Sequence, residues 1–221
     1  MEKKQTMQRT AGLFTFFLSG ICAISSGVIV SILQESYGFA YSMTGTLLSF
    51  MNIGNLLAGF VAGILPSKLG MKKTVILLTF GYGCGYWLMG LSGWVGILML
   101  AFFLVGVAKG STINTCTILV GNNSQNRTKS MNFMHSCYAF GALLCPFLIA
   151  VALNGSRALP MFVLAACGIL LWIVFIVTPM DTEEKQKVKT TDWSFLKDKK
   201  FWLITGLLFS QNDMATIWLV L

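Results

Sequence analysis

The stretch GVAKGSTINTCTILVGNNSQNRTKSMNFMHSCYAFGALLCP, from Gly106 to Pro146, decides the fold. Two apolar segments flank a short polar hinge at 121–129. Lys109 lies deep within the first segment, and the second carries the only histidine, His135. A charge within an apolar membrane span costs about 2.5–3.5 kcal/mol on insertion scales, so Lys109 is a candidate functional residue.

The composition of the chain indicates an integral membrane protein. Of its 221 residues, 55% are hydrophobic and only 11% are charged, whereas soluble domains carry about 25% charged residues. The net charge of +8 does not indicate nucleic acid as a partner, because the basic residues lie in short loops where membrane topology explains them. The six cysteines lie within apolar spans and form no C-x-x-C pair, so we expect no metal and no cofactor.

Seven apolar runs have the length of about 20 residues that a helix needs to cross a bilayer. Because lipid offers the backbone no hydrogen-bond partners, the runs are predicted to be helices, which gives an all-α membrane protein. The first run is longer than the roughly 7–15 apolar residues of a signal peptide and is read as a helix of the mature protein. The predicted spans are 11–33, 43–65, 74–92, 95–118, 130–153, 158–178 and 201–221.

The basic residues predict the orientation of the chain. The odd-numbered loops carry only Arg157, and the N-terminus and the even-numbered loops carry the other basic residues outside the spans. Basic loops stay in the cytoplasm, so we expect a multi-pass protein of the plasma membrane with a cytoplasmic N-terminus.

The chain also repeats itself. Phe16–Ile21 in the first span matches Phe102–Val107 in the fourth at an offset of 86, and Gly54–Phe60 in the second matches Gly141–Phe147 in the fifth at an offset of 87. Two three-helix units with opposite starting sides form the inverted repeat of secondary transporters. We expect the glycines of the spans to be close-packing positions, namely Gly54, Gly59, Gly63, Gly81, Gly85, Gly106, Gly110 and Gly141.

The predicted domains follow from the charge pattern. Residues 1–178 form an N-terminal six-helix bundle, 179–200 form a charged cytoplasmic linker, and 201–221 form the first helix of a second bundle. Because the sequence stops at Leu221 within a span, we expect a truncated chain.

The connection between the second and third spans supports a family assignment. Gly63–Lys73 resembles the G-x-x-x-D-R/K-x-G-x-R/K-R/K motif of the major facilitator superfamily. Ser67 stands where the family usually has an aspartate, which puts the charge link of the outward-facing state in doubt. The resemblance covers the whole chain and implies the first half of such a transporter plus one helix. The matching residues of this conformational loop are Gly63, Lys68, Gly70, Lys72 and Lys73.

A second resemblance concerns the subfamily. His135–Pro146 is similar to the H-x-x-x-x-F-G-x-x-x-x-P pattern of fucose- and glucose-type sugar porters, and Asp213 with Trp218 loosely resembles an acidic-then-Trp pattern of the same group. The first span has no acid, and the fourth has Lys109 near the place where those symporters often carry an acid. Drug–proton antiporters often have R-x-x-Q-G in the fourth helix, and that arginine is missing here.

Three ionisable residues are candidates for the site. Lys109 is predicted to face a central cavity and to attract an anionic or polyhydroxyl substrate or pair with an acid; the alternative is snorkelling to the headgroups. Asp213, about 12 residues into the seventh span, is the proton-coupling candidate, because a desolvated carboxyl group favours its protonated form. It could instead be a structural partner of Lys109 or of neighbouring polar groups. His135 is either a structural histidine or a second proton-coupling residue.

Four uncharged polar residues within the spans are candidate substrate ligands. Amide groups can donate and accept hydrogen bonds together, which suits sugar hydroxyls. The same groups can equally hold helices together, at under about 1–2 kcal/mol each. These candidates are Asn52, Asn55, Asn114 and Ser26.

The sequence therefore predicts a secondary active transporter of a small polar solute such as a sugar, working by alternating access and driven by a proton or sodium gradient. Its partners would be the lipid bilayer, the solute and the coupling ion. One alternative is a drug or metabolite efflux antiporter, and another is an inactive fragment or a membrane scaffold. No phosphate loop or nucleophile triad supports an enzyme.

Overall fold

A computed structural model of the protein describes residues 2–180, apart from the surroundings of Glu2 and Gly63. These residues form seven helices and no strand, which confirms the all-α membrane fold. Six spans are long and apolar enough to cross a membrane. The predicted seventh span and Asp213 lie outside the described residues. The helices are Glu2–Tyr37 (α1), Tyr41–Leu69 (α2), Met71–Thr79 (α3), Gly81–Leu91 (α4), Val95–Asn122 (α5), Arg127–Leu153 (α6) and Leu159–Val177 (α7).

Helices α1, α2, α5 and α6 are longer than the predicted spans. Helix α1 has 36 residues, or about 54 Å at about 1.5 Å per residue, so the polar N-terminus continues the helix beyond the hydrocarbon core. Helix α5 continues to Asn122, which reduces the predicted hinge to 123–126. The side chain of Asn126 then caps α6, because its Oδ1 accepts a hydrogen bond from the backbone N–H of Lys129 at 3.0 Å.

The predicted loop between the second and third spans is largely helical, so the predicted end of the second helix at residue 65 was wrong. Helix α2 continues through Pro66 to Leu69, and Gly70 alone separates it from α3. The N–H of Gly70 donates to the Pro66 carbonyl at 2.9 Å. Gly70 has φ +82° and ψ 154°, a region that is essentially restricted to glycine, which explains why the helix ends there.

Helices α3 and α4 together form the third span. Phe80 separates them but keeps a helical backbone, with φ −55° and ψ −26°. The N–H of Cys84 donates to the Phe80 carbonyl at 3.1 Å, so the span continues across the break. Trp172 on α7 donates from Nε1 to the Ile76 carbonyl at 2.9 Å, which ties α7 to α3.

The helices pack around α1, α4 and α5. Helix α1 contacts α5, α6 and α7, helix α2 packs mainly on α5, and α4 lies between α5 and α7. Within the described residues, large apolar side chains of α2 and α6 are exposed. They include Phe60, Leu143, Phe147 and Val151.

One end of the bundle carries most of the basic residues. Helices α1, α3 and α6 begin at this end, and α2, α5 and α7 finish there, because successive spans run in opposite directions. We call it the basic end. Its residues are Lys3, Lys4, Arg9, Lys68, Lys72, Lys73, Arg127 and Lys129.

Candidate functional site

Two glycines bring α2 and α5 into backbone contact. A Cβ atom on Gly54 of α2 would collide with the carbonyl oxygen of Phe103, and one on Gly106 of α5 would collide with the carbonyl of Met51. Small residues let membrane helices approach closely in this way. The close-packing prediction for Gly54 and Gly106 is therefore confirmed.

The same arrangement recurs between α1 and α6. A Cβ atom on Gly20 would collide with the carbonyl of Tyr138, and one on Gly141 would collide with the carbonyl of Phe17. Each contact is its α2–α5 counterpart displaced by 86 residues in one helix and 87 in the other. The two crossings are thus related by a pseudo-two-fold axis, which confirms the inverted repeat.

The other predicted close-packing glycines divide into two groups. Gly81, Gly85 and Gly110 each approach a neighbouring helix within 3 Å of an added Cβ. Among residues 2–180 nothing lies within 4 Å of a Cβ atom on Gly59, which is exposed there, so close packing at Gly59 stays a prediction.

The level of the pseudo-two-fold axis follows from one contact between α1 and α5. Thr15 Oγ1 lies 3.3 Å from Cys116 Sγ. Because the two helices run in opposite directions, moving seven residues along each places Cys22 level with Lys109. The 86-residue offset relates Cys22 to Ala108 and Ala23 to Lys109. These four residues lie at one level of the bundle, so the pseudo-two-fold axis passes through that level.

Lys109 therefore lies at the centre of the inverted repeat. It is also near the middle of α5, which extends beyond the predicted boundary at residue 118. Substrate sites of transporters built from inverted repeats lie at the repeat interface near the bilayer midplane. Lys109 has the depth that such a site requires.

The side chain of Lys109 is half-buried and has no acidic partner among the described residues. It shares a helical face with Cys116, seven residues away, so it is on the side of α5 that faces α1. Between Lys3 and Met180 the one acidic residue is Glu35. Glu35 is 13 residues along α1 from Cys22, or about 20 Å from the level of Lys109.

Among the candidate substrate ligands, Asn55 contacts the residue next to Lys109. A Cβ atom on Gly110, the neighbour of Lys109, would lie 2.8 Å from Asn55 Oδ1. Asn55 is half-buried. Ser26 of α1 is buried, and its hydroxyl donates to the Ala23 carbonyl at 3.1 Å.

Asn52 and Asn114 are placed differently from Asn55. Asn114 follows Lys109 by five residues, which is about 140° around α5, and it is exposed. Asn52 is exposed on α2. The structure therefore brings Asn55 and Lys109 to one part of the crossing and does not bring Asn114 to the side of α5 that carries Lys109.

His135 lies nearer the basic end than Lys109. Its ring contacts the edge of the Phe16 ring, with centroids 5.5 Å apart, and it is exposed. Phe16 precedes Cys22 by six residues, so this contact is about 9 Å from the level of Lys109. His135 and Lys109 are therefore on different levels of the bundle.

Four polar candidates lie on one side of the repeat, on α2 and α5, whereas Ser26 lies on α1 and His135 on α6. Lys109, Asn52 and Asn55 have apolar counterparts in the α1–α6 crossing, and so does Asn114. The counterparts, at the offsets of 86 or 87, are Ala23, Ala139, Ala142 and Val28 respectively. The two crossings share their backbone contacts but differ in polarity.

A family model for the Major Facilitator Superfamily matches residues 12–221. The chain belongs to the Major Facilitator Superfamily. Among curated relatives, a protein TsgA homolog of Yersinia enterocolitica is 24% identical over 202 residues, which are 89% of this chain and 50% of the relative. The chain thus spans about half the length of the curated relatives it matches.

Two further superfamily relatives carry substrate names. The probable sulfoacetate transporter SauU of Cupriavidus necator is 25% identical over 146 residues, 64% of this chain and 34% of the relative. The 4-hydroxybenzoate transporter PcaK of Pseudomonas aeruginosa is 24% identical over 149 residues, 66% of this chain and 32% of the relative.

The superfamily motif lies around the glycine that ends α2. Lys68 and Lys73 are exposed, and Lys72 is half-buried. Ser67, which replaces the usual aspartate, donates its hydroxyl to the Ile64 carbonyl at 2.6 Å and so bonds within its own helix. Nothing is described of the surroundings of Gly63.

Sequence reasoning missed the hydrogen bonds that join α1 to α4. Ser19 Oγ and Tyr82 Oη are 3.0 Å apart, and Ser25 Oγ and Tyr86 Oη are 2.7 Å apart. The i, i+4 spacing of the two tyrosines was the available signal, because it places both on one helical face. Thr112, one turn from Lys109, has a buried hydroxyl with no hydrogen-bond partner among the described residues.

Proposed function

We propose that this chain is part of a secondary active transporter that moves a small polar solute by alternating access. Membership of the superfamily and the inverted repeat support the proposal. In this proposal residues 1–178 are the N-terminal bundle, 179–200 a cytoplasmic linker and 201–221 the first helix of a second bundle. The protein would lie in the plasma membrane with its N-terminus in the cytoplasm.

The observation that carries the proposal is the position of Lys109. A half-buried ammonium group at the centre of the repeat, without a carboxylate partner among the described residues, attracts an anion. The names of two relatives, for sulfoacetate and 4-hydroxybenzoate, point in the same direction, because both compounds are organic anions. We therefore favour a small organic anion as the solute.

A sugar remains the second candidate for the solute. It is supported by Asn55, whose amide is half-buried beside the backbone of Gly110 and has no hydrogen-bond partner among residues 2–180. Such an amide could bind a hydroxyl group. Asn52, Asn114 and Ser26 belong to this candidate too, although Asn114 lies on a different side of α5.

Coupling to a proton or sodium ion completes the proposal. Asp213 is our candidate for the coupling group. His135, about 9 Å from the level of Lys109, is the second candidate. A dependence of uptake on the gradient of protons or of sodium ions would identify the coupling ion.

The test is solute uptake by cells that carry the full-length protein. Sulfoacetate, 4-hydroxybenzoate, glucose and fucose are offered as labelled solutes, and dye extrusion is followed in parallel. We expect uptake of an anion that falls at least about 100-fold in Lys109→Gln, because a charge-assisted contact is lost at a desolvated site. Lys3→Gln, which removes the same charge at the basic end, should retain uptake.

One result would change the proposed solute, and two would contradict the proposal. Uptake of a sugar alone would exclude an anion as the solute and favour the second candidate, a sugar. Dye extrusion without uptake would show efflux. No movement of any solute by a folded, full-length protein would favour the reading as a membrane scaffold.

A further inference from the structure

One hydroxyl group near Lys109 is buried without a hydrogen-bond partner. Among residues 2–180, the buried side-chain oxygens that lack a partner are Ser36 Oγ and Thr112 Oγ1. Ser36 follows Cys22 by 14 residues, so it is about 21 Å from the level of Lys109. Thr112 follows Lys109 by three residues, which is about 4.5 Å along α5. The unpaired hydroxyl of Thr112 therefore belongs to the region of the candidate transport site.

The Thr112 hydroxyl departs from the usual behaviour of threonine in a helix. A threonine within a helix can donate to the backbone carbonyl three or four residues earlier. Thr15, Thr74, Thr79 and Thr117 all do so, over 2.7–2.9 Å. Thr112 makes no such bond within the described part of the chain. Because a buried hydroxyl without a partner costs free energy, the missing bond indicates a partner that these residues do not supply.

The inverted repeat shows which bond Thr112 lacks. The offset of 86 relates Ser26 of α1 to Thr112 of α5, and Ala23 to Lys109. Ser26 Oγ donates to the Ala23 carbonyl at 3.1 Å, so the equivalent acceptor for Thr112 would be the carbonyl of Lys109. Both hydroxyl-bearing residues are buried. The repeat therefore preserves the buried hydroxyl, and the copy next to the lysine is the one without its bond.

The hydroxyl of α1 at the level of Thr112 is already engaged. Moving four residues along each helix from the contact between Thr15 and Cys116 places Ser19 level with Thr112. Ser19 Oγ is paired with Tyr82 Oη at 3.0 Å. Thr112 itself is 0% exposed, so a further segment of chain cannot reach its hydroxyl in this conformation. A partner for Thr112 has to enter between the helices.

An anionic group with at least two oxygens suits this arrangement. Residues three apart on a helix are neighbours, with Cβ atoms about 5–6 Å apart, so one group can bind to both Lys109 and Thr112. An ammonium group only donates hydrogen bonds, and a hydroxyl can donate one. Carboxylate and sulfonate groups offer several acceptor oxygens, and their bonds to a cation are strong.

We propose that Thr112 is a second ligand of the solute, and that its hydroxyl donates to the same carboxylate or sulfonate group that Lys109 binds. This inference rests on the proposed function, and it narrows the solute to an anion whose charged group has at least two oxygens. Alternating access opens the site to each side of the membrane in turn, and the solute reaches Thr112 when the helices part. The unpaired hydroxyl then belongs to the closed, solute-free site.

The test measures uptake and stability of the full-length protein. Thr112→Val keeps the size of the side chain and removes the hydroxyl. With labelled sulfoacetate and 4-hydroxybenzoate, we expect the KM of the transported anion to rise at least about tenfold, because a hydrogen bond to a charged group is lost. Without solute, the same variant should raise the Tm by about 2 °C, because an unpaired buried hydroxyl is removed. A purely structural threonine would not weaken binding and improve stability together.

Two further variants are the controls. Thr117→Val makes the same substitution on α5, but the Thr117 hydroxyl already donates to the Ile113 carbonyl at 2.8 Å. Thr117 is eight residues, or about 12 Å, from Lys109, so this variant should change the KM less than about twofold and should not raise the Tm. Thr112→Ser, which retains a hydroxyl, should keep most of the affinity that Thr112→Val loses.

The outcomes separate this inference from the proposed function. An unchanged or lower Tm in Thr112→Val would overturn the inference, because the hydroxyl would then have an internal partner such as a buried water. An unchanged KM in Thr112→Val, with uptake lost in Lys109→Gln, would also overturn it and leave the proposed anion transport intact. Uptake of a sugar alone, or of no solute, would contradict the anion transport and this inference with it.

Discussion

The α1–α6 and α2–α5 crossings have the same backbone contacts and different side chains. Gly20 and Gly141 make the first crossing as Gly106 and Gly54 make the second. Four polar candidates lie on α2 and α5, whereas their counterparts on α1 and α6 are apolar. The comparison teaches that the repeat preserves helix approach and that polarity has diverged at the level where a solute would bind.

The largest expected effect is on folding, and it should be equal in the two crossings. Gly54→Val and Gly141→Val each force a branched side chain against a backbone carbonyl. We expect each to destabilise the bundle by more than about 3 kcal/mol, measured as loss of monodisperse protein and a lower Tm. Gly59→Val is the matched control, because no described residue lies within 4 Å of a Cβ atom on Gly59. A large loss in only one crossing would show that the two are not equivalent.

The next largest expected effect is on solute uptake, and it should differ between two asparagines that the sequence alone predicts to be equivalent ligands. Asn55→Ala should lower solute uptake about tenfold, because Asn55 contacts the backbone beside Lys109. Asn114→Ala should lower it less than about twofold, because Asn114 is on another side of α5. Initial uptake rates, corrected for the amount of folded protein, give both values. Equal losses would mean that the solute contacts a wider part of α5.

Gly70 provides a test outside the crossings. Gly70→Ala should destabilise the bundle by about 1–3 kcal/mol, because φ +82° with ψ 154° is essentially restricted to glycine. Thermal unfolding of the purified protein measures the loss. Gly38→Ala is a useful comparison, since Gly38 has φ +66° and no neighbour within 4 Å. Wild-type stability in Gly70→Ala would show that the junction of α2 and α3 relaxes freely.

The smallest expected effect concerns the hydrogen bonds between α1 and α4. Tyr82→Phe removes the partner of Ser19, and we expect a loss of about 0.6 kcal/mol, the mean measured for hydrogen bonds between membrane helices, and at most about 1.7 kcal/mol. Ser19→Ala should cost a similar amount. In the double variant the loss should be less than the sum of the two single losses, and strict additivity would mean that the bond contributes nothing.

The six described spans and the repeat could be predicted because both depend on apolar length and on residue offsets. Helix ends were less predictable. Pro66 reads as part of a loop, yet α2 continues past it and ends where Gly70 adopts a positive φ. The polar residues before Ala11 read as a tail, yet helical hydrogen bonding continues through them to Glu2.

The sides of the helices could not be predicted from the spans. The sequence predicts Asn55 and Asn114 equally as substrate ligands. Only the rotation of α5 against α1 and α2 shows that they face different sides. That rotation is set by contacts such as Thr15 with Cys116 and Gly110 with Asn55, which join distant parts of the chain. The position of Lys109 deep within its span could be predicted, because it depends mainly on the length of one helix, and Lys109 lies near the middle of α5.

The most direct measurement concerns the charge at Lys109. In a variant whose six native cysteines are replaced, Lys109→Cys should lose uptake of the anion, and 2-aminoethyl methanethiosulfonate should restore it at least about tenfold by adding an ammonium group. Methyl methanethiosulfonate, which adds no charge, should restore nothing, and Ala23→Cys should gain nothing from either reagent. Wild-type uptake by untreated Lys109→Cys, or equal rescue by both reagents, would contradict a charged solute site at the centre of the repeat.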